Sequence, residues 1–239
     1  MTFSDKKIIV ITGASRGIGA AIAATLAKTG AHLVLTGRDR AKLQVVADQV
    51  VAAGGTAQAF PCDLRDPAQI DALARQVLAD HGRCDVLISN AGLGTLGKPL
   101  HELELEEWMR MMETNLRAPY LLVRAFAPAM IVAGGGHIIS ISSLAGKNPV
   151  PNGAAYAASK WGLNGLMYSV AEELRPHKIR VSLVAPGTVQ TEFGGGMSAK
   201  KSPLGALAPS DVAHVVEMLV TQADASFVSE VLIRPTLKS

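Results

Sequence analysis

Short, unbroken apolar runs alternate along the chain with longer segments whose apolar residues recur at helical spacing. Lys7 to Thr12 (KIIVIT), His32 to Thr36 (HLVLT), Thr56 to Pro61, Asp85 to Ser89 (DVLIS), Gly136 to Ser142 (GHIISIS), Ile179 to Ala185 (IRVSLVA) and Phe227 to Ile233 (FVSEVLI) read as seven strands. Continuous β-branched runs of this length suit strands buried on both faces of a parallel sheet. Between them, six helices are expected: Gly17 to Gly30, Asp39 to Ala53, Asp66 to about His81, Glu104 to about Ala133, Ala154 to about His177, and Pro209 to Thr221. Gly30 and Gly54-Gly55 stop two of them. Asp66-Pro67 opens a third, with an acidic N-cap and proline in the first turn. Pro119 or Pro128 is expected to bend the long fourth helix. This alternation, wound with right-handed crossovers, gives an α/β fold: a doubly wound, seven-stranded parallel sheet with helices on both faces. No linker rich in Pro, Gly and Ser divides the 239 residues, so they read as a single domain. The least regular stretch, Gly194 to Ala208, makes 192–208 a mobile loop in this reading.

Composition narrows the class. Apolar residues are 49% and charged residues 18% of the chain, which excludes intrinsic disorder. Aromatics are only 4%, so the core must be aliphatic. A net charge of +3, with no basic stripe and no interleaved aromatics, gives no footprint for nucleic acid. Cys62 and Cys84 are too few for a disulfide scaffold, and no Cys/His spacing suggests a metal. Met1 to Lys7 lacks the apolar segment of a secretory signal, and Leu121 to Ala133 is interrupted by Arg124 and Pro128. A cytoplasmic protein without a membrane partner is expected.

The first strand runs into Thr12-Gly13-Ala14-Ser15-Arg16-Gly17-Ile18-Gly19. Gly13 permits a sharp turn, Gly17 lets backbone N–H groups approach a pyrophosphate, and Gly19 permits close packing of helix on strand. The spacing is GxxxGxG, and such a turn can be only a turn. Between the first strand and first helix of a βαβ unit it favours a nucleotide, whose phosphates the helix N-terminus would attract. Strand two ends in Leu35-Thr36-Gly37-Arg38, with no acid where a ribose 2′-OH would be read. Arg38 and Arg16 could instead converge on a 2′-phosphate, which favours NADP(H); the alternative is two solvated surface arginines.

Strand five ends in Ser142-Ser143, and Tyr156-Ala157-Ala158-Ser159-Lys160 follows. Tyr156 and Lys160, four apart, project from one helix face. Such a pair alone is often a surface pair. Taken with the other motifs it is specific, and the chain resembles a classical short-chain dehydrogenase/reductase from about Lys7 to Ile233. TGASRGIG at 12–19, Asp63, Asn90-Ala91-Gly92, Asn115, Ser143, YAASK at 156–160 and PGTVQT at 186–191 carry the likeness.

The resemblance implies a single-domain Rossmann fold and a role for each matched position. Tyr156 protonates the carbonyl oxygen and Ser143 hydrogen-bonds it. Lys160 bonds the nicotinamide ribose and lowers the Tyr156 pKa, aided by the charge of the oxidised nicotinamide. Asn115 bends its helix and holds a water leading from Lys160 to solvent. Gly13, Ser15, Arg16, Gly17, Ile18 and Gly19 cradle the phosphates, with Arg38 beside them. Asp63 and Leu64 meet the adenine, Asn90, Ala91 and Gly92 the adenosine ribose, and Pro186, Gly187, Val189 and Thr191 the nicotinamide. No metal is required.

Ser142 is expected to be structural, Ser140 core, and His137 and His177 surface residues. Trp108, Met109, Met111 and Met112 read as core or interface, and Trp161 as a contact between subunits. The resemblance implies a homo-oligomer, a dimer or tetramer, although Leu-Ile-Arg-Pro-Thr replaces the family's usual Val-Asp-Gly-Gly after Val231. Ser89 stands for the usual Asn. The expected activity is NADP(H)-dependent reduction of a carbonyl. A 3-oxoacyl thioester on CoA or a carrier protein ranks first among specific substrates. The basic Arg175-Pro176-His177-Lys178 supports it, and the uncharged Val132-Ala133-Gly134 does not. A small-molecule carbonyl reductase or alcohol dehydrogenase, or an NADPH binder without turnover, is the alternative.

Overall fold

A computed structural model describes residues 6–193 and 205–237. Seven parallel strands form one sheet: β1 (Ile8–Thr12), β2 (His32–Gly37), β3 (Thr56–Pro61), β4 (Val86–Ser89), β5 (Gly136–Ile141), β6 (Ile179–Pro186) and β7 (Glu230–Ile233). Their order is β3-β2-β1-β4-β5-β6-β7. In β1, Ile8 and Val10 join the core on one face while Ile9 and Ile11 join the core on the other. That period of two is why the run is apolar throughout. Helices α1 (Gly17–Leu26), α2 (Arg40–Ala52) and α7 (Pro209–Thr221) cover one face. Helices α3 (Pro67–His81), α5 (Ala118–Val132) and α6 (Ala154–Leu174) cover the other.

Local chemistry sets the ends. The Asp39 carboxylate accepts from Lys42 N at 3.1 Å and starts α2. Asp66 accepts from Ala68 N at 2.9 Å and starts α3, which ends at the left-handed Gly82. Both are N-caps that satisfy otherwise unpaired first-turn N–H groups. The helix read to Gly30 is α1 to Leu26 plus a 3₁₀ turn at Ala27–Thr29, and Gly30 takes φ 82°. The helix read to His177 likewise tightens to a 3₁₀ turn at Arg175–His177, because Pro176 cannot continue the α pattern.

Three expectations are corrected. The long helix does not bend at Pro128; it is α4 (Leu105–Met112), a π turn at Glu113–Arg117, and α5. Pro119 acts at a distance, since it offers no N–H to the Asn115 carbonyl four residues back. Strand β7 begins at Glu230, not Phe227, because its pairing with β6 starts at Leu183↔Glu230. His137 is not on the surface. It is 2% exposed on β5, its Nε2 lies 2.8 Å from Ser182 Oγ, and burial pushes its pKa down to about 3. Ser140 is core, Ser142 donates to Asn164 Oδ1 at 2.6 Å, and His177 is exposed, as expected. Residues 194–204 of the expected mobile loop lie outside the described residues. Among the described residues, no helix is long and apolar enough to cross a membrane.

Candidate active site

Strand β1 pairs with both β2 and β4, so the loops after β1 and β4 part over opposite faces of the sheet. Ligands of open α/β sheets bind where that happens, beyond the carboxyl ends of the strands. A cleft of about 1280 Å³ opens there. It is lined at one end by the glycine turn, Gly37 and Arg38, and at the other by Ser143, Tyr156 and Lys160.

The glycine turn is held by side chains buried beneath it. Thr12 Oγ1 accepts from Asn90 N at 2.9 Å and Ala91 N at 3.0 Å. Asn90 Nδ2 donates back to Thr12 O at 2.9 Å and Gly13 O at 3.3 Å. Asn90 is therefore a clamp on the turn as well as a wall of the cleft. Gly13 has φ +65°, and a Cβ there would come 2.9 Å from Ala91 Cα. A Cβ at Gly19 would sit 2.3 Å from the Gly13 carbonyl oxygen. The close packing expected of Gly19 is thus helix backbone on turn backbone. Arg16 precedes α1 without a side-chain cap, and the first turn holds no acid. Its N–H groups, next to Ser15, Gly17 and Ile18, are left for an anion.

The rim is more engaged than the sequence suggests. Both expected arginines line the cleft, but Arg16 is ion-paired across it with Glu192, and both partners are exposed. Arg38 is exposed. Asp63 accepts from Arg65 Nη2 at 2.6 Å and from its Nε at 3.1 and 3.2 Å. The guanidinium holds the Asp63 carboxyl below the ordinary carboxylate range. Leu64 and Cys62 are buried beside it, and burial pushes the Cys62 thiol up to about 11.

At the other end, β5 delivers Ser143 to the start of a 3₁₀ turn (Leu144–Gly146), where its Oγ accepts from Ala145 N at 3.1 Å. The same hydroxyl faces the Tyr156 phenol, near enough to favour its ionised form. Tyr156 and Lys160 stand one turn apart on α6, 8% and 4% exposed. Lys160 Nζ is 5.9 Å from the phenol ring centroid and donates to Ile141 O at 3.0 Å. Burial pushes its pKa down to about 8. Burial pushes the Tyr156 phenol up, and Ser143 offsets only part of that.

Asn115 lies in the π turn, buried. Its Oδ1 accepts from Leu93 N at 2.8 Å, and its Nδ2 donates to Leu93 O at 2.7 Å and Ser159 Oγ at 2.9 Å. Its side chain thus makes three of the four hydrogen bonds open to it, tying the loop after β4 to α6. Pro186 ends β6, and Gly187 N donates to Ile233 O at 2.8 Å. Val189 bridges to Leu207, and a Cβ on Gly17 would meet Thr191 Cγ2 at 3.3 Å. Gly92 also lines the cleft.

Sequence reasoning missed the walls near Tyr156, namely Leu93, Leu96, Leu144, Val150 and Phe193, and the Arg234–Leu237 segment. Isolated apolar residues in loops carry no signal. Gly94 was a usable one, because the Phe193 ring fills the space a Cβ there would need.

The short chain dehydrogenase family model matches residues 7–202. The chain is 59% identical to a metagenomic short-chain oxidoreductase solved in complex with NADP, with TM-score 0.87, covering 97% of this chain and 98% of that one. It is 31% identical to an alcohol dehydrogenase from the archaeon Thermococcus sibiricus, solved with 5-hydroxy-NADP, with TM-score 0.92 over 98% and 99% of the two chains. It is 34% identical over 230 residues to the D-threitol dehydrogenase of Mycolicibacterium smegmatis, covering 92% and 88%.

Proposed function

The chain belongs to the short-chain dehydrogenase family, and from that premise we propose that it reduces a ketone or aldehyde to an alcohol with NADP(H), Tyr156 giving the proton. One observation carries the reading. A buried phenol, beside Ser143 and one helical turn from a buried lysine, shares a cleft with a glycine turn whose helix N-terminus lacks a side-chain cap. That turn fits a dinucleotide. The space a Cβ would need at Gly13 and Gly19 is taken up by backbone, so main-chain N–H groups can reach a pyrophosphate.

When bound, NADPH supplies the hydride and leaves as NADP⁺. The chain does the rest. The carbonyl oxygen takes its proton from the Tyr156 hydroxyl, which solvent later replaces. Ser143 donates to that oxygen as negative charge grows on it. Lys160 would hold the nicotinamide ribose, and its positive charge would favour the ionised phenol. Asn115 positions the loop after β4 against α6. A water leading from Lys160 to solvent would rest on Asn115. Arg16 and Arg38 receive the 2′-phosphate, Arg16 exchanging Glu192 for it. Asp63 and Leu64 meet the adenine, and Pro186, Gly187, Val189 and Thr191 the nicotinamide.

A 3-oxoacyl thioester stands first among specific substrates, supported by the exposed basic end of α6 at Arg175–Lys178. Exposed apolar residues on α4, α5 and α6 (Met109 at 47%, Tyr120 at 49%, Trp161 at 54%) support a homo-oligomer, dimer or tetramer. We place the protein in the cytoplasm. The test is NADPH oxidation over 3-oxoacyl thioesters, diketones, aldehydes and simple ketones, with wild type and Tyr156→Phe. Loss of the proton donor should cost about 10²–10⁴-fold in kcat while NADPH affinity stays nearly unchanged. Full activity in the variant would refute the assignment. NADPH binding with no turnover of any carbonyl would favour a binder that does no chemistry.

A further inference from the structure

The half of the cleft around Tyr156 is apolar, and three close approaches show how it is built. A Cβ on Gly153 would lie 2.7 Å from both Leu96 Cδ2 and Val150 Cγ1, so these two side chains meet over the start of α6. A Cβ on Gly94 would lie 2.6 and 2.7 Å from Phe193 Cε1 and Cζ and 3.4 Å from Tyr156 Cδ2. The Phe193 ring therefore sits in the seat that Gly94 leaves open. It stands tilted against Tyr156, with centroids 5.6 Å apart and planes at 57°. A Cβ on Gly187 would meet Leu144 Cδ1 at 3.2 Å. Leu93 completes the wall.

The charges that line the cleft are engaged elsewhere. Arg16 and Glu192 hold each other, as do Asp63 and Arg65, and Lys160 is on the Ile141 carbonyl. Arg38 belongs to the glycine-turn end. Among the described residues that line the cleft, Arg234, exposed beyond β7, is the cation that a substrate carboxylate could recruit. A polyol or a 2-oxo acid would leave its hydroxyls or carboxylate against Leu96, Val150 and Phe193, where they would lose water without gaining partners.

We propose that the substrate carries a flat or branched apolar group on its carbonyl, an aryl or branched-alkyl ketone, and that Phe193 is the residue that selects it. This rests on the carbonyl-reductase reading of the same cleft. An aryl group entering between Leu96, Val150 and Phe193 would pack against the Phe193 ring, which Tyr156 already meets at a tilt. It also brings the carbonyl to the phenol and Ser143.

The test compares kcat/KM for 1-phenyl-1-propanone, 2-butanone, erythrulose, 2-oxobutanoate and acetoacetyl-CoA with NADPH, in wild type, Phe193→Ala and Gly94→Ala. In wild type the phenyl ketone should exceed erythrulose and 2-oxobutanoate by about a hundredfold. Phe193→Ala should cut the phenyl-ketone to 2-butanone ratio by about tenfold or more, with the NADPH Kd unchanged by calorimetry. Gly94→Ala, which occupies the ring's seat, should cut the same ratio without altering Phe193 itself. Four results overturn the proposal while leaving carbonyl reduction standing: acetoacetyl-CoA preferred, which returns the 3-oxoacyl thioester to first place, erythrulose preferred, 2-oxobutanoate preferred through Arg234, or an equal loss on every ketone in both variants. No turnover of any of the five, with NADPH bound, would overturn this proposal and the reading beneath it together.

Discussion

Replacing Lys160 with methionine should make the cofactor-free protein more stable while destroying its activity. The ammonium is fully enclosed, and burial moves its pKa from 10.5 to about 8. At 1.36 kcal/mol per pH unit, that difference costs the native state ~3 kcal/mol at pH 7. The hydrogen bond to Ile141 O returns ~1.5–3 kcal/mol, as bonds from charged donors do. Methionine, of similar length, keeps the packing, so Lys160→Met should gain up to ~2 kcal/mol, or up to roughly 8 °C in Tm for a chain of this size. The sign depends on pH. Below about 8, lysine is charged in both states and the penalty is complete. Between about 8 and 10.5 the unfolded chain holds a proton that the native one does not, so wild-type stability rises with pH. The gap between variant and wild type should therefore close across that window. Thermal unfolding of both proteins without cofactor, at pH 7 and pH 10, is the assay. A lower Tm for the variant at pH 7, or a gap that ignores pH, would refute the argument.

Gly19→Ala puts a Cβ 2.3 Å from the Gly13 carbonyl, so the turn must shift; NADPH affinity measured by titration calorimetry should fall by about tenfold or more, a displacement worth at least ~1.4 kcal/mol. Arg38→Asp should weaken NADPH and improve NADH, and an unchanged ratio of their kcat/KM values would place the 2′-phosphate contact elsewhere. His137 stays neutral in the fold down to about pH 3, whereas the unfolded chain protonates it near 6.5. Its contribution is complete above about pH 6.5 and is lost as pH falls toward 3, at up to ~1.4 kcal/mol per pH unit. His137→Gln should flatten urea-unfolding free energies between pH 6.5 and 4, and an unaltered slope would show that other groups set the acid limb.

The strands were legible because the sheet is covered on both faces, which makes each strand a short continuous apolar run with turn residues at its ends. The glycine turn was legible because backbone crowding at Gly13 and Gly19 leaves no room for a side chain. Ser143, Tyr156 and Lys160 were found through the family resemblance that they carry with the other motifs, and the fold brings them to one cleft. Contacts between distant segments were not legible. His137 looks like any surface histidine until β6 supplies Ser182 beside it. The π turn in the long helix falls before Pro119, the proline that leaves the Asn115 carbonyl without its usual partner. Arg65, two residues from Asp63, turns back onto it, whereas local sequence gave Asp63 only a ligand to meet. Phe193 acquires its place from Gly94, almost a hundred residues earlier.

The sheet order has a consequence for synthesis. Strand β1 leaves the ribosome early, and β2 can cover one of its edges some two dozen residues later. Its other edge belongs to β4, and the bond from Ile8 N to the Asp85 carboxylate spans 77 positions. Until Ser89 has emerged, a nascent chain carries the run Ile-Ile-Val-Ile-Thr with one side unpaired, a sticky segment of the kind that nucleates aggregates. A ribosomal pause placed before β4 should therefore lower soluble yield more than one placed after it.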